Sequence, residues 1–197
     1  MCGTEKKTAL ILERLGVLQS GHFRLTSGRH SDKYMQCARL FEHPQETTEL
    51  CFSLAENFRE DGVSLVAGPA LGGIIMAYEV ARALGVRNVF AERENGVMTF
   101  RRGFSIFPGD RVLVVEDVVT TGGSAKEVVS LVREAGGEVA GVGAIVVRST
   151  GTVEFGAPFH PLLSLDVLSW DEKECPLCRD GVPIVKPGSR EFKRANV

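Results

Sequence analysis

The stretch Val112-Leu113-Val114-Val115-Glu116-Asp117-Val118-Val119-Thr120-Thr121-Gly122-Gly123-Ser124 limits the possible folds of this chain more than any other. Its uninterrupted β-branched start predicts a strand buried on both faces, because a half-exposed strand would alternate apolar and polar residues. A short hydroxyl- and glycine-rich turn then opens a helix over 124–135, which Gly136-Gly137 stops. Such a unit belongs in a parallel sheet covered by helices. The neighbouring sequence keeps the rhythm: strands are expected at 63–67, 86–91 and 139–147, and an apolar helix at 74–84. With 44% hydrophobic residues in 197, the chain can bury one substantial core. The expected class is therefore α/β, a central mostly parallel sheet flanked by helices. Twenty-two glycines stand where average usage would give about 14, so several places need backbone freedom.

The first forty residues fall outside this rhythm. A helix is expected over 4–18, then two short strands with a turn at Ser27-Gly28. Pro44 suits the first position of a helix whose Leu50, Cys51, Leu54, Ala55 and Phe58 share one face. The division expected is one domain, with a small subregion mainly at 1–43, a core at about 44–170 and a tail at 171–197. Net charge is −2, which argues against nucleic acid or an anionic membrane as partner, and the basic cluster Arg190, Lys193 and Arg194 reads as a solvated tail. No apolar run approaches the ~18 residues of a membrane span. Five cysteines with no dense framework suit a reducing compartment, so a soluble cytoplasmic protein is expected. Cys175 and Cys178 form a CxxC pair without a second ligand pair at a recognised spacing; the expectation is a reduced turn, with no metal ligand assigned.

The chemistry is expected at the end of the central strand. The first N–H groups of a helix lack internal partners and carry the positive end of its dipole, so an anion is welcome there. Thr120, Thr121 and Ser124 add hydroxyls, while Gly122 and Gly123 let the backbone approach a phosphate. Neither GxxxxGK[ST] nor GxGxxG occurs in this segment, which excludes a P-loop or dinucleotide reading of it. Carboxylates repel phosphate, so Glu116 and Asp117 should meet a neutral, hydroxylated group attached to it. A ribose diol fits, and the whole reads as a sugar-phosphate site.

This segment resembles the phosphoribosyl pyrophosphate signature of the type I phosphoribosyltransferases. The resemblance implies their fold, with Glu116 and Asp117 on the ribose hydroxyls and Val118 through Ser124 around the 5′-phosphate. The glycine turn Ala67-Gly68-Pro69-Ala70-Leu71-Gly72-Gly73-Ile74 resembles the family's pyrophosphate loop, which implies substrate contact at Ala70, Leu71, Gly72 and Gly73 and an unusual peptide bond at Ala70–Leu71. Residues 91–103, with hinges at Gly96 and Gly103, occupy the place of the mobile catalytic loop. That position implies catalytic roles for Arg93, Arg101 and Arg102 beside Asp117; read without the resemblance, an exposed hairpin fits the same residues.

The element Ser27-Gly28-Arg29-His30-Ser31 resembles the base hood of the orotate branch of this family, and Cys175-Pro176-Leu177-Cys178 is similar to one bacterial and archaeal group within it. Orotate contacts are then implied at Thr26, Ser27, Gly28, Arg29, Tyr34, Thr120 and Arg148, the last suited to a carboxylate by its planar fork. Better-known members carry lysines where this chain has Thr26 and Gly72, and there is none between Ala91 and Gly103; Lys33 is the replacement nearest the first. The implied reaction moves the phosphoribosyl group of phosphoribosyl pyrophosphate to orotate, with Mg²⁺ held mainly by pyrophosphate oxygens and waters, in a homodimer. The alternatives are a purine phosphoribosyltransferase or a non-catalytic nucleotide-sensing regulator.

Overall fold

The computed structural model describes residues 3–25, 27–148 and 151–187. Strand β6 (Arg111–Val119) forms where the β-branched run stands and lies in the middle of a six-stranded sheet. Its neighbours are β3 (Leu65–Pro69) and β7 (Glu138–Val147), both parallel to it. Outside these lie β4 (Arg87–Glu94) and β5 (Val97–Phe100) on one side and β8 (Phe159–Ser164) on the other. Only the β4–β5 pair is antiparallel.

Alternation along β6 sorts its side chains between two cores. Leu113 and Val115 join the apolar side chains of α1 (Gly3–Arg14), α2 (Pro44–Ala55) and α3 (Gly72–Leu84). Val112 and Val114 join those of α4 (Gly123–Glu134) on the other face. Chain connections leave β3 and β6 in opposite directions: β3 runs through α3 to β4, and β6 through α4 to β7. The gap between the ends of β3 and β6 is thus a topological switch point, where sheets of this kind hold ligands.

A second sheet of three strands covers one end. Its hairpin joins β1 (Leu18–Arg24) to β2 (His30–Met35), and β9 (Ser169–Trp170) pairs antiparallel with β2. Val185 adds a bridge to Phe23, and a one-turn helix α5 (Pro176–Arg179) packs Cys175 out of solvent. Residues 171–187 are therefore part of the hood rather than a free tail. Arg190, Lys193 and Arg194 lie outside the described residues.

The central strand, expected over 111–115, runs on for a physical reason. Strand β6 continues past Val115, because Glu116, Val118 and Val119 keep their pairing with Ala144, Val146 and Val147; backbone groups are satisfied by the ladder whatever the side chain. Residues 91–100 form the end of an ordered β4–β5 hairpin, the reading that these residues support without the resemblance. Its turn is Asn95-Gly96, with φ +52° and +86°. Two adjacent positive φ values are what a tight hairpin turn with the strands' own twist requires.

Leu54 on α2 is fully buried, and α2 approaches β7 so closely that a Cβ at Gly143 would lie 3.1 Å from Leu54 Cδ2. Leu54→Ala should cost about 2–5 kcal/mol and lower the melting temperature by at least ~5 °C, measured by differential scanning calorimetry.

Candidate active site

At the end of β6 the strand's alternation carries past its apolar part. Glu116 follows Val112 and Val114 onto the α4 face, and Asp117 follows Leu113 and Val115 onto the α3 face. The two acids straddle the sheet edge at the switch point. On the Glu116 side a cleft of about 220 Å³ is lined by Glu116, Thr120, Thr121, Gly123, Ser124 and Arg93. Gly122 begins α4 with φ +77°, and a Cβ there would strike Val153 Cγ1 at 2.7 Å. At Gly123 the nearest atom to a Cβ would be Thr121 Oγ1 at 3.8 Å, so packing within the chain does not require glycine there. Open space above that amide is what a closely bound phosphate needs.

On the Asp117 side stands the 70–73 loop. The Ala70–Leu71 peptide is cis, at the bond singled out in the sequence. Its Ala70 N–H donates to the Ala91 carbonyl at 2.7 Å, and Leu71 is 83% exposed. A Cβ at Gly72 would approach Asp117 Oδ2 to 2.6 Å. With glycine at 72 the loop lies close against the carboxylate, and a side chain there would require Asp117 to turn away. Asp117 Oδ1 accepts the Val118 N–H at 2.8 Å.

Burial raises the Glu116 carboxyl well above the ordinary carboxylate range, and the adjacent Asp117 charge adds to the rise. Asp117 is raised as well, by burial, with the Val118 N–H opposing. Like charges this close cannot both ionise cheaply, so the pair retains a proton above the usual range. The Cys37 thiol is also pushed up, by burial and then by Asp117, with Arg148 acting against them. Cys37 thus shares the electrostatic surroundings of the acid pair and Arg148, a placement that a lone cysteine gave no means of reading.

The arginines divide. Arg93, on the same face of β4 as Val89 and Ala91, reaches the cleft, where it donates to Glu127 at 2.9 Å and the Gly96 carbonyl at 2.8 Å. Arg101 pairs with Glu92 and Glu94, and Arg102 pairs with Glu92 and lies over the Phe90 ring. Of these four pairs, those with Glu127 and Glu94 are exposed and worth about 0–1 kcal/mol each, so a more highly charged anion can take Arg93 and Arg101 over, while Glu92 is largely buried.

The hood residues do not all face the cleft. Arg29 donates through Nε and Nη2 to Ser169 Oγ and carbonyl, and through Nη1 to Asp171, at 2.7–3.0 Å. It locks β9 to the hairpin. Tyr34 packs on Phe23 with ring centres 5.6 Å apart, and Lys33 Nζ donates to Ser20 Oγ. Ser27 and Gly28 form an exposed turn, with Gly28 at φ +83°. Thr26 lies outside the described residues. Arg148 follows the end of β7, its N–H donating to the Val119 carbonyl at 2.8 Å.

An acid whose pKa is raised on folding destabilises the fold as pH climbs from its unfolded value, 4.5, toward the raised one. Glu116→Gln removes that penalty. Its melting temperature should exceed the parent's by about 3 °C at pH 8, roughly 1 kcal/mol, with no difference near pH 4 in fluorimetric melting. The same variant should lose at least ~10-fold in turnover, because a strong acceptor for a ribose hydroxyl is weakened.

Comparison with known proteins matches the geometry. Residues 38–178 match the model of the phosphoribosyl transferase domain family. The chain is 58% identical over 189 residues to the orotate phosphoribosyltransferase of Pelotomaculum thermopropionicum, covering 96% of this chain and 100% of that one. It is 55% identical over 183 residues to that of Thermotoga maritima, covering 93% and 98%. Among solved structures, the orotate phosphoribosyltransferase of Mycobacterium tuberculosis in complex with inorganic phosphate superposes with TM-score 0.67 at 30% identity, over 83% of this chain and 97% of that one. The chain belongs to the phosphoribosyl transferase family, among its orotate phosphoribosyltransferases.

Proposed function

We propose that the chain transfers the 5-phosphoribosyl group of phosphoribosyl pyrophosphate to N1 of orotate, releasing pyrophosphate and forming orotidine 5′-phosphate, a step of pyrimidine nucleotide synthesis. The observation that carries this reading is the arrangement at the switch point, where an acid pair stands between an anion-accepting helix start and the 70–73 loop. The 5′-phosphate accepts from the amides and hydroxyls of 120–124. Glu116 and Asp117 accept from the ribose hydroxyls and place negative charge beside the anomeric carbon. That carbon becomes oxocarbenium-like as its bond to pyrophosphate stretches. The leaving group gathers negative charge against the 70–73 backbone, and Arg93, Arg101 and Arg102 are the cations that exchange their exposed carboxylate partners for it. Arg148 orients the orotate carboxylate.

Mg²⁺ suits this site as an ion carried by the substrate. Among the described residues, no cluster of three carboxylates forms at the cleft; the acid pair and the hydroxyls of 120–124 offer hard oxygen donors that reach an ion directly or through water. When bound, the ion neutralises the pyrophosphate. A cytoplasmic setting agrees with free thiols at Cys37, Cys51, Cys175 and Cys178, and no helix among the described residues is long and apolar enough to cross a membrane.

The homodimer is supported by a stripe along one face at the start of α3: Leu71, Ile75 and Tyr78 are 83%, 41% and 58% exposed. Their spacing puts them on one side of the helix, and burying such a patch against a second copy removes apolar surface from water.

Incubation with phosphoribosyl pyrophosphate, Mg²⁺ and orotate should deplete orotate absorbance; turnover of a purine base, or of no base, would overturn the assignment. Arg148→Ala should raise KM for orotate about 10–100-fold, the worth of a charge-assisted pair, while leaving KM for phosphoribosyl pyrophosphate unchanged. Equal losses for both substrates would remove its base-reading role. Tyr78→Glu should sediment as a monomer where the parent sediments as a dimer.

A further inference from the structure

Away from the cleft, four side chains aim their donor atoms at one point. His22 on β1, His30 on β2, Cys175 before α5 and Cys178 within α5 bring these atoms within 4.8 Å of one another. Three of the four residues are buried. His22 Nε2 lies 3.1 Å from His30 Nδ1, 3.5 Å from Cys175 Sγ and 3.7 Å from Cys178 Sγ. Cys178 Sγ lies 3.2 Å from His30 Nδ1.

These lengths are the edges of a small tetrahedron. With Zn–S of ~2.3 Å and Zn–N of ~2.05 Å, ideal tetrahedral edges are about 3.4 Å between two nitrogens and about 3.6 Å between nitrogen and sulfur. Each of the four separations falls within about 0.4 Å of its ideal edge. The outer contact of His22 is also that of a metal ligand. Its Nδ1 stands 2.8 Å from the Val182 carbonyl, which can only accept, so the proton sits on Nδ1 and the Nε2 lone pair faces the cluster. Sequence spacing concealed the site because the second pair of ligands is two histidines on facing strands rather than another CxxC or HxxxH.

We propose that His22, His30, Cys175 and Cys178 bind one Zn²⁺ in a closed, structural site. Four protein ligands leave no position for substrate or water, so the ion fastens rather than catalyses. Each thiol gives its proton to solvent on binding, and nothing is oxidised or reduced. The ligands come from β1, β2 and the segment after β9, which are the three parts of the hood. That same segment begins with Ser169 and Asp171, the partners of Arg29. The ion thereby ties the β1–β2 hairpin to residues 175–178, beside the hold that Arg29 has on Ser169 and Asp171.

The test uses the full chain, expressed without a histidine tag and purified without chelator. Plasma mass spectrometry should find about one zinc per chain, and Co²⁺ exchanged for it should give the intense visible bands of a tetrahedral thiolate site. Cys175→Ser with Cys178→Ser, and separately His22→Ala, should abolish stoichiometric zinc, while Cys51→Ala retains it. Removing zinc with a chelator should speed proteolysis within residues 169–187 at least ~10-fold, and added zinc should restore protection. Wild-type chain that carries no zinc and takes none up, a six-coordinate cobalt spectrum, or a Cys175–Cys178 disulfide in the metal-free purified protein would each overturn the proposal. These readouts do not involve turnover, so they stand or fall separately from the assigned reaction.

Discussion

Strand β6 is held by β3 along Val112–Val114 and by β7 from Arg111 to Val119, and this pairing fixes where the side chains before its end point. Two neighbouring acids on such a strand must go to opposite faces. From that constraint the rest of the site follows. The phosphate-accepting turn has to open α4 on the Glu116 face. On the Asp117 face the 70–73 loop has to approach without a side chain at 72. A substrate with a phosphate at one end, a diol in the middle and a pyrophosphate at the other matches this layout from face to face across the sheet edge.

The acids are held there against their electrostatic preference. Burial pushes both carboxyls toward the protonated form, with the Asp117 charge adding to the rise at Glu116, and the fold keeps them because the ladder of β6 and the cores beneath it hold the strand regardless. The cations are arranged the other way. Arg93 and Arg101 rest in exposed pairs with Glu127 and Glu94, which cost little to separate, while Arg101 and Arg102 also meet the largely buried Glu92. A rigid anionic centre and a ring of loosely parked cations suit a reaction in which positive charge develops at a fixed carbon and negative charge departs.

Much of this was legible in the residues. The β-branched run and its rhythm with the neighbouring strands follow from local chemistry, so the α/β class could be read before any coordinates, and the family resemblance placed the unusual peptide bond at Ala70–Leu71, where it is found. The failures have physical reasons as well. Residues 91–103 carried two readings, a mobile loop from the resemblance and a hairpin from the residues themselves, and the ordered β4–β5 hairpin is the second. The hold of Arg29 on β9 was not foreseen. Its partners, Ser169 and Asp171, are 140 and 142 residues away, and no local pattern reports a contact of that range. His22 and His30 were overlooked for the same reason, since their companions lie at the far end of the chain.

That separation has a consequence for how the molecule comes into being. His22 meets Cys175 across 153 residues and Val182 across 160, and β9 completes a sheet begun by the first hairpin. During synthesis at ~5–20 residues per second, β1 and β2 wait about 7–27 s for the strand that completes their sheet. The six-stranded sheet can condense in that interval, because β3 through β8 lie in one continuous stretch of sequence. The three-stranded sheet is therefore the last part to assemble, closed by a strand made only after the larger sheet is complete.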